Sequence, residues 1–180
     1  TSGATGENTV ILQEFLKIEK LNKKVFFASI HDDKMYDFLN GKSIGDTVQI
    51  NLGANTTELN LPVSINVKIK EKAIQKGTSL FGEQGNQFGS GVLVSVLDKP
   101  IDIIVANSNH PFVERQQVMA FNRDWNDYDI VIVKCGYAFP ELVHDGNMSI
   151  MALTEGATLQ DTARLPFKQI MRPMYPIDKI

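Results

Sequence analysis

Tyr128-Asp129-Ile130-Val131-Ile132-Val133-Lys134-Cys135-Gly136-Tyr137-Ala138-Phe139-Pro140 decides how the chain is read. Four consecutive β-branched residues run into a charge, a thiol and a glycine. A run so apolar and so short reads as a strand buried on both faces, hence a central strand of a parallel sheet. Ligands of open parallel sheets gather at the carboxyl ends of strands. Lys134, Cys135, Gly136 and Tyr137 occupy that end and are the first candidates for substrate contact. The Lys134 ammonium must meet a carboxylate of the protein, a substrate carboxylate or water. Cys135 reads as small-residue packing; a nucleophile would need a histidine close in space.

Working outward, Val25-Phe26-Phe27-Ala28-Ser29-Ile30 is a second buried strand, followed by His31-Asp32-Asp33 and a short helix to Leu39. The acidic pair resembles a metal cluster, but an aspartate there reads more simply as the helix N-cap. Asn40-Gly41 reads as a left-handed helix end. Before this unit, apolar residues at 11, 12, 15, 16 and 18 follow the helical period, with Asn8 or Thr9 as N-cap. The loop ahead of it contains Gly3 and Gly6. With Thr9 they make either a tight turn or, through free N–H groups, an anion cradle. Between 46 and 98 the period changes to two: Val48, Ile50, Leu52 and then Val63, Ile65, Val67, Ile69 share faces, as in half-exposed antiparallel strands. Gly77 to Gly91 holds five glycines and reads as a long loop. Strands follow at 92–97 and 101–105, then a helix marked by Val113, Gln117, Val118 and Phe121, a helical turn at 140–143 and a strand at 149–153.

Composition narrows the function. The chain has 180 residues, a net charge of −3 and one cysteine. An acidic chain lacks the basic face that nucleic-acid backbones require. One cysteine excludes an internal disulfide and fits a reducing cytoplasm. No apolar run approaches the ~18–20 residues of a membrane span. Three histidines without paired spacing offer no metalloprotease motif, and Gly41-Lys42-Ser43 is only the tail of a phosphate loop. No residue is nominated as catalytic or as a metal ligand. The chain starts at Thr1 without methionine, which suggests a piece of something longer.

Four segments resemble the C-terminal domain of the microcystinase C (MlrC) family of metallopeptidases. They are Gly3-Ala4-Thr5-Gly6-Glu7-Asn8-Thr9; Phe27–Asp32 with Ile44–Val48 and Leu52-Gly53; Val131–Phe139; and Glu155–Thr158 through Leu165-Pro166 to Arg172-Pro173-Met174-Tyr175-Pro176-Ile177-Asp178. The resemblance implies a single domain over 1–180, part of a two-domain zinc-dependent peptidase or amide hydrolase. It implies that the zinc ligands sit mainly in an N-terminal domain absent from this chain, and that this domain covers the metal site and shapes the cleft for a peptide or amide substrate. The fragment alone would then be inactive. Cys135 stands where the family has serine, and Tyr137-Ala138 stand around the family's histidine, so no role of that histidine transfers.

The expected fold is α/β. Strands near 25–30, 101–106, 129–134 and 149–153 form a mainly parallel mixed sheet flanked by helices, with the antiparallel β-meander at 46–98 as an elaboration. A stand-alone small-molecule binding module using loop 77–91, or a structural domain that forms a homodimer, remain alternatives. Neither nucleic acid nor membrane is an expected partner.

Overall fold

The computed structural model describes residues 9–53, 62–78, 84–135, 140–144, 148–152 and 161–179. In chain order these form α1 (Val10–Lys17), β1 (Val25–His31), α2 (Asp33–Asn40), β2 (Thr47–Leu52), β3 (Val63–Gly77), β4 (Asn86–Val96), β5 (Ile101–Ala106), α3 (Arg115–Met119), β6 (Ile130–Val133) and α4 (Pro140–His144), with 3-10 turns at Trp125–Asp127 and Thr162–Arg164. No described helix is long and apolar enough to cross a membrane.

One six-stranded sheet carries the fold, in the order β2-β3-β4-β5-β1-β6. The α/β class holds, and the sheet is mixed. Pairings β2–β3, β3–β4 and β4–β5 are antiparallel, whereas β5–β1 and β1–β6 are parallel. The meander is therefore no separate elaboration: β4 bonds directly to β5, and the two halves share one hydrogen-bond ladder.

Alternation explains the two cores. Val25 and Phe27 of β1, with Ile101, Ile103 and Val105 of β5, face a core closed by Leu12 of α1 and Leu39 of α2. Phe26 and Ala28, with Ile104 and Ala106, face the other side, where Phe112, Val118, Phe121 and Trp125 close it. β1 is thus buried on both faces, which is why it reads as an unbroken apolar run. In the first half of β3 Val63, Ile65, Val67 and Ile69 are buried, and Ser64, Asn66 and Lys68 face solvent, so this end of the sheet is covered on one side.

Several expectations are corrected. β6 is an outer strand among the described residues, and all four of its residues are half-buried. A short β-branched run is equally compatible with a central strand and with an outer one whose two faces are partly covered. Here Ile130 and Ile132 lean on the first core, and Val131 and Val133 on the second. Residues 149–152 form no strand and are exposed, so alternation there reflects no pairing among described residues; Leu153 lies outside them. The second part of the loop expected at 77–91 is strand, because β4 starts at Asn86, and β3 runs to Gly77; residues 79–83 lie outside the described residues. Gly77, Gly89 and Gly91 answer to close packing, whereas Gly85, at φ 77° with open space around a Cβ, makes a turn. At Gly89, with φ of 131°, a Cβ would lie 2.5 Å from the Ser108 Cβ. Gly41 ends α2 in the right-handed region, at φ −74°, so its backbone does not require glycine. The left-handed position comes later, at Gly45 with φ 98°.

At Gly91 a Cβ would stand 2.8 Å from Ile104 Cγ2 and 2.9 Å from Phe121 Cζ, inside the second core. Gly91→Ala is expected to destabilise the domain by about 1–3 kcal/mol through overpacking. Urea unfolding followed by Trp125 fluorescence reads this directly, and an unchanged midpoint contradicts the packing described.

Candidate functional site at the carboxyl edge of the parallel strands

The parallel strands β5, β1 and β6 end on one edge of the sheet. Val133 is level with Ala28, and His31 is level with Ala106. Between Phe27 and Ile30 the register of β1 against β5 shifts. The extra residue turns Ile30 into the same core as Phe27, a re-aiming that bulges commonly provide near sites.

Asp32 anchors this edge. It is buried, and its Oδ1 accepts the Met35 N–H at 3.1 Å as the N-cap of α2. Its Oδ2 accepts the Gly53 N–H at 3.0 Å, and its own N–H donates to the Ala106 carbonyl at 3.1 Å. One carboxylate thus joins the ends of β1 and β2, while its backbone ties β1 to β5. The capping role expected of the acidic pair falls to Asp32. Asp33 is exposed and meets His31 Nε2 at 3.2 Å. Among the described residues no three His, Cys, Asp or Glu side chains come together to hold a metal ion, so they do not form a zinc centre by themselves.

α1 runs opposite to β1. Phe15 packs edge-on to Phe27, with ring centroids 6.1 Å apart. At the helix's far end the Ile18 carbonyl accepts from Lys99 beside the start of β5. The N-terminal end of α1 therefore lies toward the carboxyl edge. Thr9 sits there fully buried, its carbonyl accepting the Gln13 N–H at 2.9 Å and its Oγ1 the Gln13 side-chain amide at 3.2 Å. Lys134 and Cys135 follow directly on β6, both half-buried. Thr9, Lys134 and Cys135 thus belong to one edge. Gly3, Gly6, Gly136 and Tyr137 lie outside the described residues.

Sequence reasoning placed Asn107–Pro111 in a loop at the end of a strand, here the one that leaves β5 at the same edge, but gave it no role. His110 stacks on Phe88, with centroids 3.7 Å apart and planes 9° from parallel. Buried Gln75 donates to the carbonyls of His110 and Pro111, each at 3.3 Å. Buried Gln117 accepts the N–H groups of Val113 and Glu114 at 2.7 and 3.0 Å. Glu114 accepts the Thr78 N–H at 2.9 Å. The only sequence signals for this cluster were Gly77 and Gly89, where a Cβ would strike Gln117 and Ser108 respectively.

The opposite end of the sheet holds a different polar group. Asp102 accepts from Tyr128 at 2.7 Å and from Ser95 at 2.5 Å, and Arg123 lies 3.4 Å away. Burial, then the bond to Asp102, pushes the Tyr128 hydroxyl well above its ordinary pKa, so it stays protonated. Stacked on Phe26 at 4.8 Å, it fastens the approach to β6.

Burial also holds the His110 imidazole below its ordinary value of 6.5, against the opposing effects of the Pro111 carbonyl and Glu114. The unfolded chain then binds that proton more readily than the folded one. His110 therefore contributes stability that is present above about pH 6.5 and lost as pH falls toward the lower folded value. Urea unfolding at about pH 7.5 and about pH 5 is expected to show a smaller acid loss in His110→Phe than in the parent. An identical loss contradicts the assignment.

Against this geometry the chain was compared with known proteins. No curated protein matches it. A solved structure of a candidate metallopeptidase from Mesorhizobium sp. BNC1 superimposes with a TM-score of 0.77 at 16% identity, over 98% of this chain. The match covers 35% of that protein, so the chain spans about a third of its length. At that identity the likeness carries the fold alone. The sequence itself matches the MlrC C-terminus family over residues 1–169, and the chain belongs to that family.

Proposed function

We propose that this chain is the C-terminal domain of a zinc-dependent peptidase or amide hydrolase, and that the carboxyl edge of β5, β1 and β6 forms one wall of its substrate cleft. The family match over residues 1–169 carries the reading. It is supported by the chain's span of about a third of the solved relative, whose name includes the word metallopeptidase. In this reading the zinc ligands come from an N-terminal domain of the same polypeptide. The metal, when bound, polarises the scissile carbonyl and activates water. This domain contributes shape and charge: Lys134 offers an ammonium group to a substrate carboxylate, Cys135, Gly136 and Tyr137 line the wall, and the loop of Gly3, Gly6 and Thr9 offers N–H groups to an anionic part of the substrate. The lone cysteine fits a cytoplasmic setting.

A stand-alone binding module has less support. A cavity of about 290 Å³ borders Tyr36, Lys72 and Ser90. Its one cation, Lys72, is committed at 2.6 Å to each of the Asn40 and Lys42 carbonyls at the end of α2.

The test uses the whole polypeptide and a panel of small N-acylated peptides. Cleavage is expected to vanish with a chelator and return with zinc. Lys134→Met is expected to lower kcat/KM at least tenfold, or about 1.4 kcal/mol, with the unfolding midpoint unchanged. Cleavage indifferent to zinc removes the reaction class, and full activity in the variant removes Lys134 from the cleft.

A further inference from the structure

We propose that His110 is a ligand-binding residue of the cleft, presenting Nε2 as an uncharged hydrogen-bond acceptor to a peptide-amide N–H. The proposal rests on the hydrolase reading for its ligand class and on this loop's own geometry for its chemistry.

The tautomer follows from the partners. His110 Nδ1 lies 3.0 Å from the Pro111 carbonyl, which can only accept, so Nδ1 carries the proton. The Gln75 amide nitrogen at 3.4 Å from Nδ1 is then a second donor facing a donor, and its hydrogens go to the His110 and Pro111 carbonyls. In the neutral ring the lone pair must be on Nε2. That atom has no hydrogen-bond partner among the described residues, and it is not one of the buried atoms left without one.

The fold holds the loop in place at a cost. Gln75 and Gln117 are 1% and 0% exposed. Each spends one end of its amide gripping the loop and leaves the other end, Oε1 of Gln75 and Nε2 of Gln117, buried without a partner among the described residues. Unsatisfied buried polar atoms are uncommon and call for an explanation. The glutamines clamp the loop at residues 110–111 and 113–114, the ring lies flat on Phe88, and a Cβ at Gly77 would come within 2.9 Å of the Gln117 amide nitrogen. A loop needed only as a connection between β5 and α3 requires neither buried amide. A side chain whose one open atom must meet a ligand at a set position does need such support. The site lies at the end of β5, on the same edge as Lys134. An uncharged acceptor there suits an N–H of a substrate backbone, while Lys134 suits a carboxylate.

The variant that separates binding from packing is His110→Phe, which keeps the ring on Phe88 and removes both nitrogens. In the whole polypeptide it is expected to raise KM for N-acylated peptides at least tenfold, with an unfolding midpoint close to the parent's at neutral pH. A second measurement does not depend on turnover. In protein labelled with 15N-histidine, the Nε2 resonance of His110 is expected in the unprotonated range. It should move toward the protonated range as N-acetylglycine amide is titrated in. An Nε2 that already carries the proton, or does not respond to the amide, overturns the proposal, as does unchanged KM in the variant. If no peptide is cleaved yet Nε2 responds to the amide, the hydrolase reading fails and this one stands.

Discussion

β5 is bonded along both of its edges in opposite senses, and the architecture depends on that. Its antiparallel ladder to β4 recruits the meander, and its parallel ladder to β1 begins the α/β half. Because β5 is shared, the two halves cannot slide independently. A slip by one residue would send Ile101, Ile103 and Val105 to the wrong core and bring Asp102 in behind them. The Asp102 carboxylate, held by Tyr128 and Ser95, opposes such a slip from the other face. Packing and polar pairing thus agree on one register.

That register is also what assembles the functional edge. With Ala106 level with His31, β5 and β1 finish together, and β6 stops short of them, its Val133 level with Ala28. The loops that follow leave by the same edge of the sheet and carry His110, Asp32 and Lys134. α1 adds Thr9 because it runs opposite to β1. Asp32 joins β1, α2 and β2. Among the described residues no three metal-ligating side chains come together at this edge.

Much of the fold was legible in the chain. β2 and the first half of β3 were plain because one face is wet, and alternation is strong when only one face is buried. β1 was plain for the opposite reason. β6 was misplaced because four β-branched residues carry no information about how many neighbours a strand has. Gly89 and Gly91 looked like loop because glycine's freedom and glycine's lack of a Cβ leave the same mark in a sequence. Gly91 is there to admit Phe121, not to turn the chain. At the proposed site, Lys134 and Cys135 were singled out from their place after an apolar run. His110 was given no role because its surroundings depend on Gln75 and Gln117; Gln117 fell on the period of its helix, but a period does not show what a buried amide grips. The family likeness, read from segments such as Gly3–Thr9 and Arg172–Asp178, gave what periodicity could not, the family.

The most direct measurement of the account is anomalous scattering at the zinc edge from crystals of the whole polypeptide. The metal peak is expected in the other domain, over the edge that carries Lys134, Thr9 and His110. A peak beside Tyr128 and Asp102, at the amino end of the same strands, contradicts the account.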